Sequence, residues 1–376
     1  MTHIRVLSIF GTRPEAVKMA PVVQRLAATP GVEARVCVTA QHRQMLDQVL
    51  DLFDIHPDVD LNLMKPNQSL AALTAAVFTH LEPVLLDLQP DWVLVQGDTT
   101  TVMAASILAF YHRIKVGHVE AGLRTGDKFQ PFPEEINRRI AGVTADLHFA
   151  PTETSRRNLL HEGVPDEHIL VTGNPAIDAL QEITTRPAPP EIIQLLQRLD
   201  IRPGGNRLIA VTAHRRENFG QPFEGICTAL KHLAESDPHL QIVYPVHLNP
   251  NVQEPVNRIL SGIANITLLP PLDYLPMVHL LRRAMLVLTD SGGIQEEATA
   301  LGIPTLVLRA VTERPEGVEA GVLRLVGTDP GVIVPEARRL LSDPAAYAAM
   351  AQARNLFGDG HAAGRIVEAI LRYCLE

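Results

Sequence analysis

Carboxylates and arginines crowd one short stretch of the chain, His118-Val-Glu-Ala-Gly-Leu-Arg-Thr-Gly-Asp127 and the following Pro131-Phe-Pro-Glu-Glu-Ile-Asn-Arg138. Glu120 falls at the carboxyl end of an apolar, strand-like run, where open α/β sheets bind ligands. Pro133 suits the first turn of a helix, and Glu134 and Arg138 then lie four apart on one face. Carboxylates beside cations at a strand mouth suit proton chemistry on an anionic substrate. A surface connection with a solvated ion pair is the plain structural alternative.

Four further loops have the same character. Phe10-Gly-Thr-Arg-Pro-Glu-Ala-Val-Lys18 follows the first strand but is not GxGxxG, so no dinucleotide is implied. Its Arg13 and Lys18 stand near a helix N-terminus, where they could hold an anion. Val95-Gln-Gly-Asp-Thr-Thr-Thr101 puts Asp98 at a strand end, either as a helix cap or as a group facing a ligand. Thr212-Ala-His-Arg-Arg-Glu-Asn-Phe-Gly220 sets the imidazole of His214 beside two guanidiniums, whose forks match phosphate oxygens. In Thr289-Asp-Ser-Gly-Gly-Ile-Gln-Glu-Glu297, Gly292 and Gly293 after Ser291 let backbone N–H groups approach a phosphate at a helix N-terminus. Glu297, one turn inside, could accept both hydroxyls of a ribose; a simple Asp or Ser cap is the alternative. Thr312-Glu-Arg-Pro-Glu316 brings Arg314 within reach of the same phosphate. No HExxH or comparable spacing occurs, so no metal is expected.

Strands alternating with helices must position these loops. Apolar runs at 4–10, 33–39, 92–96, 115–119 and 147–150 alternate with amphipathic segments at 14–28, 42–53 and 69–88. That rhythm breaks over 184–206, rich in proline and glycine, and a linker is placed there or slightly before. It restarts with runs at 207–212, 241–244, 265–268, 285–289 and 304–308, and the chain ends in an amphipathic helix, 361–375. The fold class expected is α/β, two doubly wound parallel-sheet domains with a cleft between them, bounded at 1–180 and 181–360.

The bulk numbers narrow the function classes. The 376 residues are 46% hydrophobic and 20% charged, an ordinary globular composition. A net charge of −9 disfavours nucleic acid as a general partner. Cys37, Cys227 and Cys374 are far apart and odd in number, which argues against a disulfide framework or a zinc site. Without a signal-like start or an apolar run of about 18 residues, a soluble cytoplasmic protein with no membrane insertion is expected.

Taken in order, Gly11-Thr-Arg-Pro-Glu15, Gly97–Thr101, His118–Asp127, Pro133–Arg138, His214–Gly220, Ser291–Ala298 and Thr312–Gly317 resemble the non-hydrolysing UDP-N-acetylglucosamine 2-epimerases. The resemblance implies a GT-B-like fold of two Rossmann-like domains, with the last helix returning to the first. It implies an isomerase that interconverts UDP-GlcNAc and UDP-ManNAc with no cofactor and no metal, and a homodimer. Carried over by motif, UDP binding falls to Arg13, His214, Ser291, Gly292, Gly293, Glu297 and Arg314, with Lys18 near the diphosphate. Asp98, Glu120 and Glu134 become the acid/base set, supported by Arg138, with His214 assisting at the leaving group. In Pro271–Met277 the chain departs from the family: Leu272 stands where Gln is frequent, and Met277 where Phe is frequent beside the uracil. Gln41, His42, Gln44, Gln68 and His247 match a set that holds a second, activating UDP-GlcNAc in some members, but Asn67 replaces a frequent Arg. The resemblance therefore implies substrate activation that is retained but weakened. A hydrolysing epimerase, a retaining glycosyltransferase or a non-catalytic sensor would use much of the same nucleotide site.

Overall fold

The structure is a computed structural model, and it describes residues 3–39, 43–63, 65, 68–352 and 355–374, without the side chain of residue 44. The chain divides into two compact units, Met1–Gln181 with Phe357–Glu376, and Glu182–Leu356. Each is a parallel sheet covered by helices.

The first sheet contains β1 (Ile4–Phe10), β2 (Val32–Val38), β3 (Val59–Asp60), β4 (Trp92–Gln96), β5 (Lys115–Val119), β6 (Leu147–Ala150) and β7 (Ile169–Val171), in the order β3-β2-β1-β4-β5-β6-β7. The second contains β8 (Arg207–Thr212), β9 (Leu240–Pro245), β10 (Ile266–Leu269), β11 (Leu286–Thr289), β12 (Thr305–Val307) and β13 (Leu323–Leu325), in the order β10-β9-β8-β11-β12-β13. All pairings are parallel. Strand order reverses between β1 and β4, and again between β8 and β11. Such switch points open crevices at the carboxyl ends of the strands. The loops after β1, β4, β8 and β11 are Gly11–Arg13, Gly97–Thr99, Ala213–Arg215 and Asp290–Gly292, four of the sequence-derived candidates.

Both faces of each sheet are covered, so the central strands read as continuous apolar runs. Every residue of β4 is buried. In the first unit Leu7, Ile9, Val93 and Val95 pack on Leu73, Val77 and Leu81 of the helix Leu70–Leu88 and on Val102 and Ala105 of the helix Thr100–Tyr111. In the second, Ile209, Val211 and Leu288 pack on Phe223, Ile226 and Leu230, while Leu208, Ala210 and Val287 meet Leu280 and Leu281. The final helix, Ala362–Tyr373, lies against the helix Arg13–Ala27.

The doubly wound α/β reading is borne out, with two corrections. The sequence pattern misses β3, β7 and β13, which lie at sheet edges and are two or three residues long, too short for a recognisable apolar run. The expectation that no segment is long and apolar enough to cross a membrane is also corrected. Leu70–Leu88 reaches that length and apolarity, although its Leu73, Val77, Leu81 and Leu85 form part of the core beside the sheet.

His118 and His148 sit in register on neighbouring strands, both buried. Burial pushes His118 down to about 4 and His148 down to about 3, from 6.5. The unfolded chain would take up these protons near pH 6.5, while the folded chain refuses them until far lower pH. Stability is therefore fully present above 6.5 and is lost as pH falls, at about 1.4 kcal/mol per pH unit for each histidine. Urea titrations between pH 7 and 5 should show His148→Gln losing stability less steeply than the parent; parallel slopes would contradict this assignment.

Candidate active site

The first unit gathers its candidates at the ends of β1, β4 and β5. Glu120, the residue after β5, has φ +66°, a left-handed conformation uncommon for a side chain of this size. Such an outlier persists only where its surroundings over-determine it, and it is a pointer to function. The buried Glu120 carboxylate accepts hydrogen bonds from the ammonium of Lys18 and the amide of Gln96. The structure thus places Lys18, expected near a diphosphate, beside the acid/base candidate.

Asp98 is half-buried and is not a helix cap. Thr99 takes that position, its hydroxyl accepting from the N–H of Val102 at 3.3 Å. The Asp98 carboxylate is instead held by the guanidinium of Arg138, and its backbone carbonyl accepts from the Asn137 amide at 3.0 Å. Glu134 is half-buried and opens the helix Glu134–Thr144. Arg13 likewise opens its helix, half-buried, just after the N-cap Thr12.

Three buried groups that sequence reasoning passed over hold these loops. Glu15 accepts from the backbone N–H of Gly11 at 3.0 Å and Thr12 at 2.7 Å, and from the Thr99 hydroxyl at 2.7 Å, so it joins the β1 loop to the β4 loop. Burial raises its pKa above the ordinary carboxylate value, against the lowering effect of these hydrogen bonds. Glu135, fully buried, accepts from the N–H groups of Thr125 and Gly126 at 3.2 and 3.3 Å and pairs with Arg138 at 3.2 Å. It therefore aims the guanidinium that holds Asp98. The Nε2–H of neutral His118 donates to the carbonyl of Gly97 at 2.7 Å, pinning the Asp98 turn to β5. Only the Glu15 signal was available locally: Thr12 and Glu15 have the spacing of a capping box, which the structure forms.

The second unit assembles a different site. Asp290, buried at the end of β11, accepts on Oδ2 from the N–H groups of His214 and Arg215 at 2.9 and 2.8 Å and from the Asn218 amide at 3.2 Å. Its Oδ1 lies 3.7 Å from His214 Nδ1, ready to hold an imidazolium. Asp290 thereby ties the β8 loop to Ser291, a role beyond the helix cap its position in the motif suggests. The His214 ring stacks on His247, centroids 5.3 Å apart, so those two candidates meet.

Ser291 is the N-cap of the helix Gly292–Ala300, but its side chain makes no capping hydrogen bond. Arg314 approaches this helix start closely. A Cβ on Gly292 would lie 2.6 Å from an Arg314 nitrogen, so this placement of the guanidinium depends on the missing side chain at 292. The buried guanidinium is fixed by Glu296 at 2.7 Å and Glu313 at 3.4 Å. Burial pushes the Glu313 carboxyl up, but Arg314 and Arg309 outweigh it and hold the group well below the usual range. Glu297 is buried in the same helix. The combination of helix-start amides, Arg314 and His214 suits a diphosphate.

The remaining candidates stand apart. Met277 is buried in the cluster containing Leu195, Leu280 and Leu281, where it offers little surface to a base. Gln68 is half-buried in the first unit. Gln41 and His42 lie outside the described residues, as does the side chain of Gln44.

The Glu135 arrangement has a measurable cost. Glu135→Gln removes the charge that pairs Arg138 inside the protein, and should lower unfolding free energy by about 3 kcal/mol, within the range for breaking a buried ion pair. Urea titration measures it; a loss below about 1 kcal/mol would show that Glu135 does not hold the loop.

Comparison with known proteins extends over nearly the whole chain. Residues 24–371 match the family model for UDP-N-acetylglucosamine 2-epimerase. UDP-N-acetylglucosamine 2-epimerases of Salmonella typhimurium and of Escherichia coli K12 are each 56% identical, over 98% of this chain and 99% and 98% of theirs. Among solved structures, the Neisseria meningitidis UDP-GlcNAc 2-epimerase bound to UDP-GlcNAc superposes with a TM-score of 0.93 at 47% identity, covering 98% of this chain and 100% of that one. The Methanocaldococcus jannaschii enzyme in complex with UDP-GlcNAc and UDP gives 0.86 at 31% identity, covering 98% and 100%. The two parallel-sheet units are accordingly GT-B-like, and with these motifs in place along the whole chain the protein belongs to the UDP-N-acetylglucosamine 2-epimerase family.

Proposed function

We propose that the protein reversibly converts UDP-GlcNAc to UDP-ManNAc by eliminating and re-adding UDP, without hydrolysis. The observation that carries this reading is the pairing of two chemistries in one chain. A cationic, amide-rich helix start, Ser291–Gly293 with Arg314, suits a leaving diphosphate, and separately held carboxylates at β4 and β5 suit proton transfer. The similar Neisseria and Methanocaldococcus proteins hold UDP-GlcNAc.

The C2 proton of the sugar has no neighbouring carbonyl, so direct abstraction is prohibitive. Breaking the C1–O bond first sends its electron pair out with UDP and leaves a cationic sugar whose C2–H is acidic. Arg13, His214, Arg314 and the Gly292 and Gly293 amides stabilise the charge that develops on UDP. A carboxylate among Asp98, Glu120 and Glu134 then takes the C2 proton, and a glucal forms. A proton delivered to the opposite face of C2, with UDP returning to C1, completes the inversion. Two faces call for more than one acid/base group, or one that moves, and several carboxylates can supply them. Arg138 orients Asp98, and Lys18 partners Glu120. Glu297 is assigned to the ribose hydroxyls.

A homodimer, a cytoplasmic location and a weakened activating UDP-GlcNAc site at Gln41, His42, Gln44, Gln68 and His247 belong to the same reading. The three free cysteines suit a reducing compartment. The exposed Phe110, Tyr111 and Val143 give a second copy apolar surface to cover, and sedimentation equilibrium distinguishes dimer from monomer.

The test is NMR of the protein with UDP-GlcNAc in D2O, with no acceptor added. UDP-ManNAc carrying deuterium at C2 is expected, and neutral replacements of Asp98, Glu120 or Glu134 should abolish it while sparing UDP binding. Free UDP with ManNAc would instead indicate the hydrolysing reaction, and an unchanged sugar would indicate a transferase or a different sugar substrate. Started from UDP-ManNAc, the same assay should accelerate on adding UDP-GlcNAc; rates unaffected by it would remove the activating site.

A further inference from the structure

A cavity of about 640 Å³ lies at the amino ends of β1, β4 and β5, the pole of the first sheet opposite Asp98 and Glu120. Among the described residues three permanent cations line it, Arg5, Arg113 and Lys115, against one carboxylate, Asp91. Asp91 is already engaged: it accepts from the backbone N–H of Arg5 at 2.7 Å and lies 3.7 Å from that residue's Nε. The two lining histidines are engaged as well, His3 near Glu33 and His112 near Glu82. Among the described residues Arg113 and Lys115 have no carboxylate partner. The Lys115 ammonium is positioned by aromatic rings instead, 5.6 Å from the centre of Trp92 and 4.7 Å from that of Tyr373. Rings hold a cation without neutralising it. A cavity with surplus positive charge runs against the trend of a chain whose net charge is −9.

We propose that this cavity binds a phosphoryl dianion, as a compact phosphomonoester or as free phosphate. Two cations without a carboxylate partner among the described residues, one of them a guanidinium fork, match a doubly charged tetrahedral group. The volume exceeds that of phosphate alone, and Ile4, Leu85 and Ile114 add apolar wall to cover a small organic body. The ligand is not the reacting substrate. β4 begins with Trp92 in the cavity and runs about 17 Å before the Asp98 loop, and β5 begins with Lys115 and ends before Glu120. The same strands thus carry the catalytic loops at one end and this site at the other.

Trp92 is the only tryptophan in the chain, so its emission reports this cavity alone. The experiment titrates the full-length protein, in saturating UDP to occupy the nucleotide site, with glucose 6-phosphate, inorganic phosphate and glucose. A saturable change in emission is expected with the phosphoryl compounds and none with glucose. Lys115→Gln and the exposed Arg113→Gln should each weaken it at least tenfold. Tighter binding of the sugar ester would assign the site to a phosphomonoester, and equal binding would assign it to free phosphate. Phosphorus NMR line widths read binding independently of the tryptophan. No saturable emission change together with unbroadened lines, or binding unaltered in both variants, would overturn the proposal.

Discussion

Buried carboxylates that accept backbone N–H groups at strand ends are the constraint on which both halves of the chemistry rest. Glu15 takes the amides of Gly11 and Thr12, Glu135 those of Thr125 and Gly126, and Asp290 those of His214 and Arg215. Loops beyond a parallel sheet leave such groups unpaired, and an unpaired buried amide costs about 1–3 kcal/mol. A carboxylate satisfies two amides at once and carries its remaining capacity to a second element. Glu15 reaches Thr99, Glu135 reaches Arg138, and Asp290 reaches Asn218. Each of these loops, next to a candidate for the proposed chemistry, is thereby fixed by a buried carboxylate.

This arrangement separates carboxylates that hold loops from chemically identical ones proposed to react. Adjacent in sequence, Glu134 and Glu135 differ in burial: the first is half-buried at the helix start and the second wholly enclosed. In the second unit Glu296 and Glu297 are both buried, and there Glu296 fixes Arg314 while Glu297 is assigned to the ribose. Arg314 in turn can lie against the helix start only because residue 292 has no side chain. The proposed phosphate site there depends on packing as much as on charge.

The loops were legible in the sequence because their residue types are costly to place at strand ends without a use. The central strands were legible because burial on both faces demands unbroken apolar runs, and β1, β4, β5, β6 and β8 fall on the runs expected. The edge strands β3, β7 and β13 left no such run. The clamps were illegible for another reason: Glu135 and Asp290 look like ordinary helix-start acids, and their partners lie 10 and 76 positions away. Asp98 could be read as a cap until Thr99 was seen in that place.

The proposed epimerisation requires the C1–O bond to UDP to break during each turnover. It is tested most directly with UDP-GlcNAc carrying oxygen-18 in the bridge between C1 and the β-phosphate, followed by phosphorus NMR as the epimer accumulates. Cleavage frees the β-phosphate to rotate, so the label should move from the bridge into non-bridging positions in both sugar nucleotides. Complete epimerisation with the label still wholly in the bridge would contradict the account.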